Sequence, residues 1–384
     1  MRIVHVITRL IVGGAQQNTL LTAAGQVEEF GDEVILITGP GAGSEGSLLD
    51  WALERGLELR LVPEMGRAIR PWADWSSYRR IAAAIREIAP DIVHTHSSKA
   101  GILGRAAASR QQLPVVHTIH GAAFHFGQSK LAQAVYRKAE RWAARRCQRL
   151  ISVCDAMTQQ YLDAEIAAPE MFTTIYSGMD VEPFLDPPRP REQVRAELGF
   201  EDDDVVIGKI ARLFDLKGHR YLLEAAPRIV EACPQARFLL VGDGPLRDQF
   251  EARISRDGLA NHFVLTGLVP PERIPELIHA TELVVHTSVW EGLARVLPQS
   301  MIAGKPVVSF DVDGAPEVVI PEETGLLVEP ESVDGLVEAV TRLVGDERLR
   351  NRLGDEGCQR WTETFRYQEM ARLVREVYEE VLAG

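Results

Sequence analysis

The sequence predicts an α/β protein built as two doubly wound units. Three observations predict it. Short β-branched runs alternate with helix-length stretches almost throughout the chain. A proline-rich break, Phe184-Leu-Asp-Pro-Pro-Arg-Pro190, separates two such series. In the second series, polar or glycine-rich loops follow the carboxyl ends of successive runs, where open α/β sheets bind ligands. A chain of 384 residues, 46% hydrophobic and 25% charged, has material for two cores of ordinary size.

In the first half the predicted strands are 2–7, 33–38, 57–62, 92–95, 115–119, 150–153 and 173–175. In the second they are 205–210, 237–241, 263–266, 283–287, 306–310 and 325–328. This βαβ rhythm implies parallel sheets covered by helices on both faces. Pro187, Pro188 and Pro190 can continue neither a helix nor a central strand. The boundary is therefore set near Pro187, with residues 1–186 forming one domain and 187–366 the other. The closing segment 367–384 carries Met370, Leu373, Val374, Val377 and Val381 at helical spacing.

Composition narrows the function. A formal net charge of −13 argues against general nucleic-acid binding. Cys147, Cys154, Cys233 and Cys358 show no CxxC and no metal-ligand spacing, which suits a reducing cytoplasm. The opening apolar run is interrupted by His5, Thr8 and Arg9, too polar for a span. The charge is uneven, however. Between Lys99 and Arg149 lie ten cations and a single acid, Glu140. Such a segment is either a solvated helix face or a contact with an anionic membrane or acceptor.

The richest stretch is Trp290-Glu291-Gly292-Leu293-Ala294-Arg295-Val296-Leu297-Pro298-Gln299. With a helix starting near Arg295, Gln299 lies about one turn inside it and Glu291 lies on the loop before it. Both heads then reach one ligand at a helix start, where free N–H groups favour phosphate. Arg212 follows a predicted strand and Lys217 precedes Gly218 at the next helix. A fixed guanidinium and a mobile ammonium there suit a diphosphate gaining charge as its bond breaks. Gly13 and Gly14, after the first strand, let the backbone approach a ligand. Histidines gather at strand ends: His94, His96, His117, His120 and His125. His-x-His on a strand places both rings on one face, but no acidic partner completes a metal set. His120 ends a strand before a loop and is the one expected to face a cleft. The others read as structural.

Together these residues resemble the retaining glycosyltransferases of family 4. The resemblance rests on Gly13-Gly14, Asp91-Ile-Val-His-Thr-His96, Gly178-Met-Asp180 with Phe184, and Arg212 with Lys217-Gly218. It continues through Gly242-Asp-Gly-Pro245, Glu291-Gly292 to Gln299, and Ala303-Gly-Lys-Pro-Val-Val308. It implies the GT-B architecture, two Rossmann-like domains with parallel sheets facing across a cleft, the first for the acceptor and the second for the donor. The last helix is then expected to pack back on the first domain. The resemblance assigns the donor diphosphate to Arg212, Lys217, Arg295, Val296 and the backbone at Gly13 and Gly14. It assigns the donor sugar to Glu291, Leu293 and Ala294, and the nucleoside to Gly267, Leu268 and Gln299. It also places His120 beside the transferred sugar. No metal and no cofactor is implied, the nucleoside-diphosphate sugar being a substrate.

Three positions depart from the family pattern. Gln299 replaces a second Glu, Ala294 a usual Gly, and Arg295 a usual Leu. A carboxamide accepts more weakly from ribose hydroxyls than a carboxylate does. The expected reaction moves a sugar from a nucleoside-diphosphate sugar to an acceptor hydroxyl with retention of configuration, in glycan, polysaccharide or glycolipid synthesis. The expected place is the cytoplasm or the inner face of the cell membrane. The competing readings are a sugar-nucleotide epimerase on the same architecture and a non-catalytic nucleotide-sugar binding protein.

Overall fold

A computed structural model describes residues 1–41, 46–124 and 127–384. His125 lies outside the described residues. The chain divides into two compact units, Met1–Met179 with Thr364–Gly384, and Asp180–Glu363.

The first unit is built on strands β1 (Arg2–Arg9), β2 (Glu33–Gly39), β3 (Glu58–Leu61), β4 (Ile92–His96), β5 (Val115–Ile119), β6 (Arg149–Ser152) and β7 (Phe172–Thr174). They form one sheet in the order β3-β2-β1-β4-β5-β6-β7, and every pairing is parallel. The second unit carries β8 (Val205–Ile210), β9 (Ala236–Val241), β10 (Phe263–Gly267), β11 (Leu283–His286), β12 (Val307–Phe310) and β13 (Gly325–Val328). Their order is β10-β9-β8-β11-β12-β13, again all parallel. Each predicted strand has its counterpart, displaced by a residue or two at its ends. Both sheets show the doubly wound order of Rossmann folds.

Burial on both faces shapes the central strands, whose apolar residues are joined by hydrogen-bonded His and Thr. β4, β5, β11 and β12 are buried along their whole length, as strands covered on both faces must be. The helix His219–Ala232 buries Tyr221, Leu222, Leu223, Ala225, Ala226 and Ile229 against the second sheet. Its spacing is that of one helix face.

The division falls at Met179/Asp180, ahead of the boundary read at 186/187. The short helix Glu182–Leu185 buries Phe184, and the Phe184 carbonyl accepts from His279 Nε2 at 2.7 Å, within the second unit. The proline-rich stretch therefore belongs to the second unit. The C-terminal helix Tyr367–Ala383 returns to the first unit. There Arg375 pairs with Asp32, and Gln26 Nε2 donates to the Tyr378 hydroxyl at 3.2 Å.

The strand orders fix where ligands can approach. In the second sheet, the order in which strands are added reverses between β8 and β11; in the first, between β1 and β4. Crevices open at such points beyond the carboxyl ends of the strands.

Candidate functional site

In the second unit the loops beyond the strands form one stitched rim. Gly242 N donates to Gly267 O at 3.0 Å, joining the loops after β9 and β10. Leu213 N donates to Asp243 O at 3.0 Å, and Val289 N to Leu216 O at 2.9 Å. Gly314 N donates to Gly292 O at 3.0 Å, tying the loop after β12 to the loop after β11. Two glycines permit this spacing. At Gly218 (φ 61°) an added Cβ would sit 1.8 Å from Thr287 O, and at Gly242 (φ 135°) 2.2 Å from Ala211 O. A side chain at either would push neighbouring loops apart.

The crevice between β8 and β11 holds the charged centre. Lys217, closing the turn Asp215–Lys217, is ion-paired with Glu291 Oε1. Ser288 Oγ donates to the same oxygen at 3.2 Å. His286 Nε2 lies 4.0 Å from it, while His286 Nδ1 meets Ser309 Oγ at 3.0 Å. Burial alone would raise the Glu291 carboxyl, but His286 and the Lys217 ammonium outweigh it and hold it down to about 2. Glu291 is therefore a carboxylate at neutral pH. Its backbone N–H donates to Asp313 Oδ2 at 2.6 Å. Asp313 itself sits at φ 47°, an uncommon conformation for a residue with a side chain.

Beneath this pair lies Lys209 on β8, 1% exposed. Its Nζ donates to Thr287 Oγ1 at 2.7 Å, and Thr287 Oγ1 donates to Gly218 O at 2.8 Å. Burial, with the nearby Lys217 charge, pulls the Lys209 ammonium down to about 7. Arg212 is exposed, its guanidinium 5.5 Å from the Phe214 ring centre. Gln299 lies half-buried in the helix Val296–Ile302, close to the expected helix start. Arg295 precedes that helix, is half-buried, and burial lowers its guanidinium to about 10. Ala294 and Val296 are buried and Leu293 half-buried. Gly267, at φ 73°, ends β10, and Leu268 beyond it is 67% exposed.

The first unit carries Gly13, Gly14 and His120. Gly13 precedes the helix Gly14–Phe30. His120 follows β5 and is half-buried. It is not an isolated ring: its Nε2 meets His96 Nδ1 at 3.1 Å, and His96 Nε2 meets His5 Nδ1 at 2.9 Å. His5, His94 and His96 bring one ring nitrogen each within 4.8 Å of one another, the one group of metal-ligand types so placed among the described residues. The geometry is that of hydrogen bonding. The His5 and His96 ring centres are 5.1 Å apart while their nitrogens are 2.9 Å apart, so the rings meet edge to edge. Their nitrogens point at each other and do not converge on a third point. His94 spends both nitrogens elsewhere, on the Tyr378 hydroxyl at 2.5 Å and Thr118 Oγ1 at 2.7 Å.

Nearby, Ser97 after β4 is held at φ 58° and ψ 159°, backbone space that is essentially glycine-only. Its Oγ meets Thr8 Oγ1 at 2.7 Å. Sequence reasoning missed Ser97, Lys209, Ser288, Asp313, His5 and Gln26 as parts of these crevices. Position beyond a strand end was the one available signal, and it marked Ser288 and Asp313 as loop residues only.

The basic segment is less uniform than its sequence. Arg105 is buried and paired with buried Glu140 at 2.9 Å, and Lys99 with Asp74 at 2.6 Å. Arg141 donates to the carbonyls of Ala164 and Glu165. Arg110, Lys130, Arg137, Lys138 and Arg145 remain exposed. Beside them are exposed Trp72, Trp75, Leu131, Val135 and Trp142. A groove of about 620 Å³ runs here, lined by Trp75, Tyr78, Ile102, Leu103, Trp142 and Arg146 among others.

Comparison with known proteins agrees with this arrangement. Residues 13–175 match the family Glycosyl transferase 4-like domain, and residues 190–360 the family Glycosyl transferases group 1. The UDP-Gal:alpha-D-GlcNAc-diphosphoundecaprenol alpha-1,3-galactosyltransferase of Escherichia coli is 30% identical over 308 residues, 79% of each chain. The alpha-D-kanosaminyltransferase of Streptomyces kanamyceticus is 28% identical over 323 residues, 83% of this chain and 78% of that one. Among solved structures, Anabaena HepE in complex with UDP-glucose shares the fold with a TM-score of 0.84 at 22% identity, over 99% of this chain and 100% of that one. Two Rossmann-like sheets of GT-B type, two matched domains and this identity to a curated enzyme make the chain a member of the group 1, family 4-type glycosyltransferases.

Proposed function

We propose that this glycosyltransferase moves a sugar from a uridine diphosphate sugar to an acceptor hydroxyl with retention of configuration and without a metal. The observation that carries the reading is the Lys217–Glu291 pair at the β8/β11 crevice, with Arg212 exposed on the same rim. An ammonium has three donors; Glu291 engages one, and the others suit a diphosphate. Arg212 adds a second cation, so the leaving diphosphate is stabilised by protein charge. Glu291, ionised and fixed by Lys217, Ser288 and the Asp313 brace, suits sugar hydroxyls as a hydrogen-bond acceptor. Leu293 and Ala294 are assigned to the same sugar, Arg295, Val296 and the backbone at Gly13 and Gly14 to the diphosphate. Gly267, Leu268 and Gln299 are assigned to the nucleoside, and His120 to the sugar in transfer. The uridine choice is supported by the Escherichia coli relative, named for UDP-Gal, and by HepE, solved with UDP-glucose. In a front-face transfer the leaving phosphate takes the acceptor proton, so no enzymic nucleophile is required.

A carboxylate held to about 2 is a poor proton donor at neutral pH. That disfavours an epimerase using Glu291 as its acid. For the acceptor we favour a lipid-linked glycan at the cytoplasmic face of a membrane. The support is the exposed tryptophan and cation surface, together with the diphosphoundecaprenol substrate named for the Escherichia coli relative. No helix of the described residues is long and apolar enough to cross a membrane, so the contact is peripheral. The test is turnover on a panel of UDP-, GDP- and ADP-sugars, with and without a chelator. Release of UDP with transfer of an α-configured sugar, undiminished by chelator, supports the reading. Binding without turnover across the panel overturns it in favour of a binding protein, and a recovered epimeric nucleotide sugar in favour of an isomerase.

A further inference from the structure

The histidines of the first sheet form a connected chain that no single motif announces. Gln26 Oε1 meets His5 Nε2 at 2.8 Å, His5 Nδ1 meets His96 Nε2 at 2.9 Å, and His96 Nδ1 meets His120 Nε2 at 3.1 Å. His96 and His120 also meet edge to edge, with ring centres 5.3 Å apart. Sheet register explains the assembly. His5 on β1 stands opposite His94 on β4, and His96 opposite Thr118 on β5. Period-two alternation puts His96 on the face of His94 and extends the line from Thr118 toward His120. Gln26, 0% exposed, comes down on this face from the helix Gly14–Phe30.

A neutral imidazole has one N–H donor and one acceptor nitrogen. Burial lowers His5 to about 4 and holds His96 well below its ordinary value, so both rings are neutral at pH 7. One choice then dictates the rest. With the Gln26 carbonyl oxygen toward His5, the His5 proton is on Nε2 and its Nδ1 accepts. His96 must donate from Nε2 and accept at Nδ1. His120 must then donate from Nε2. The amide nitrogen of Gln26 donates to Tyr378, which can then donate to His94 Nδ1, and His94 Nε2 to Thr118. Turning the amide over would reverse every proton in the chain together, because any mixed arrangement faces two donors or two lone pairs. Along these four groups the pattern is all-or-none, so the orientation of the buried Gln26 amide dictates which His120 nitrogen faces His96 as a donor.

We propose that Gln26, acting through His5 and His96, is a positioning residue that sets the tautomer and ring orientation of His120, and through them the rate of sugar transfer. This rests on the reading that His120 lies beside the transferred sugar. A ring of fixed tautomer presents one hydrogen-bonding pattern and needs no rearrangement during the reaction. Wild-type enzyme, ¹⁵N-labelled at histidine, tests the first step with no substitution: His120 should carry its proton on Nε2. Gln26→Met removes the terminator and should give mixed His120 tautomers and a kcat lower by about tenfold, with donor KM little changed. Gln26→Glu keeps an acceptor toward His5 and should restore the wild-type His120 pattern. A wild-type proton on His120 Nδ1, or one unchanged His120 pattern in all three proteins, overturns the proposal. Full kcat in His120→Ala would instead refute the role given to His120 and leave the tautomer result standing, so the two failures are distinguishable.

Discussion

At the scale of single residues, the second unit separates charge at its surface from charge sealed beneath it. Arg212 is exposed and Lys217 half-buried, while Lys209 beneath them is sealed from water. Arg212→Ala and Lys217→Ala should each lower turnover by at least tenfold without unfolding the protein. Removing a preorganised donor to developing charge costs about 2.7–4 kcal/mol in comparable sites. Steady-state rates with circular dichroism on each variant check this, and wild-type rates in a folded double variant would sink the assignment. Gln299 is a sharper case, because its family position usually holds a carboxylate. Loss of one hydrogen bond in Gln299→Ala should weaken nucleoside diphosphate binding about 3- to 10-fold. Gln299→Glu should keep or tighten it. Calorimetry on both decides, and unchanged affinity in Gln299→Ala would put this side chain outside the nucleoside site.

At the scale of elements, the strands were legible and the crevices only partly so. β-branched runs such as Val205–Ile210 and Val307–Phe310 report buried parallel strands directly, because local pattern and burial agree there. The loop positions of Arg212, Lys217 and Glu291 were legible because each borders a strand or helix end. Lys209 was not, since a lone lysine inside an apolar run looks like a solvent-facing position until the sheet is known to be covered on both faces. The histidine chain was illegible for a stronger reason: His5 and His96 are 91 positions apart and meet only once β1 pairs with β4. The Arg105–Glu140 pair likewise needed two helices brought together before two of the segment's charges could be discounted. Lys209 has a measurable consequence. Its pKa is near 7 in the folded chain against an ordinary 10.5. Between those values the unfolded chain binds more protons than the folded one, so stability rises with pH across that window. Below it the folded chain bears the whole cost of a buried ammonium. Lys209→Met should therefore raise Tm relative to wild type at pH 6.5 by about 4 °C more than at pH 10. Thermal unfolding at both values is the check, and a pH-independent difference would mean that Lys209 keeps an ordinary pKa.

At the scale of the whole molecule, a chain of net charge −13 gathers exposed cations and exposed tryptophans on its first unit. On the helix Lys130–Ala144, Leu131, Val135, Lys138 and Trp142 recur at helical spacing and share one face, which Arg145 continues just beyond. Arg146 stacks 3.7 Å over the Trp142 ring. Across the groove, Trp75 belongs to the helix Pro71–Ile88, which begins with exposed Trp72. Amphipathic aromatic rings and basic side chains together are the composition of interfacial membrane contacts. A face made only to be solvated would gain nothing from exposed Trp72 at 88% and Leu131 at 76%. Arg141 is engaged by the Ala164 and Glu165 carbonyls. Arg110, Arg137, Lys138 and Arg145 are four of the basic segment's five exposed cations, Lys130 being the fifth. Near an anionic leaflet each cation is worth about 1 kcal/mol, and the effect fades beyond a Debye length of roughly 8 Å. Replacing these four by Gln should cut sedimentation with acidic vesicles at low salt to the salt-resistant remainder. Trp72→Ser with Trp75→Ser should weaken the salt-resistant remainder, because burial of an indole does not depend on ionic strength. Equal recovery of the wild type with acidic and neutral vesicles would reduce the surface to a solvated face, and a soluble acceptor would then be the better assignment.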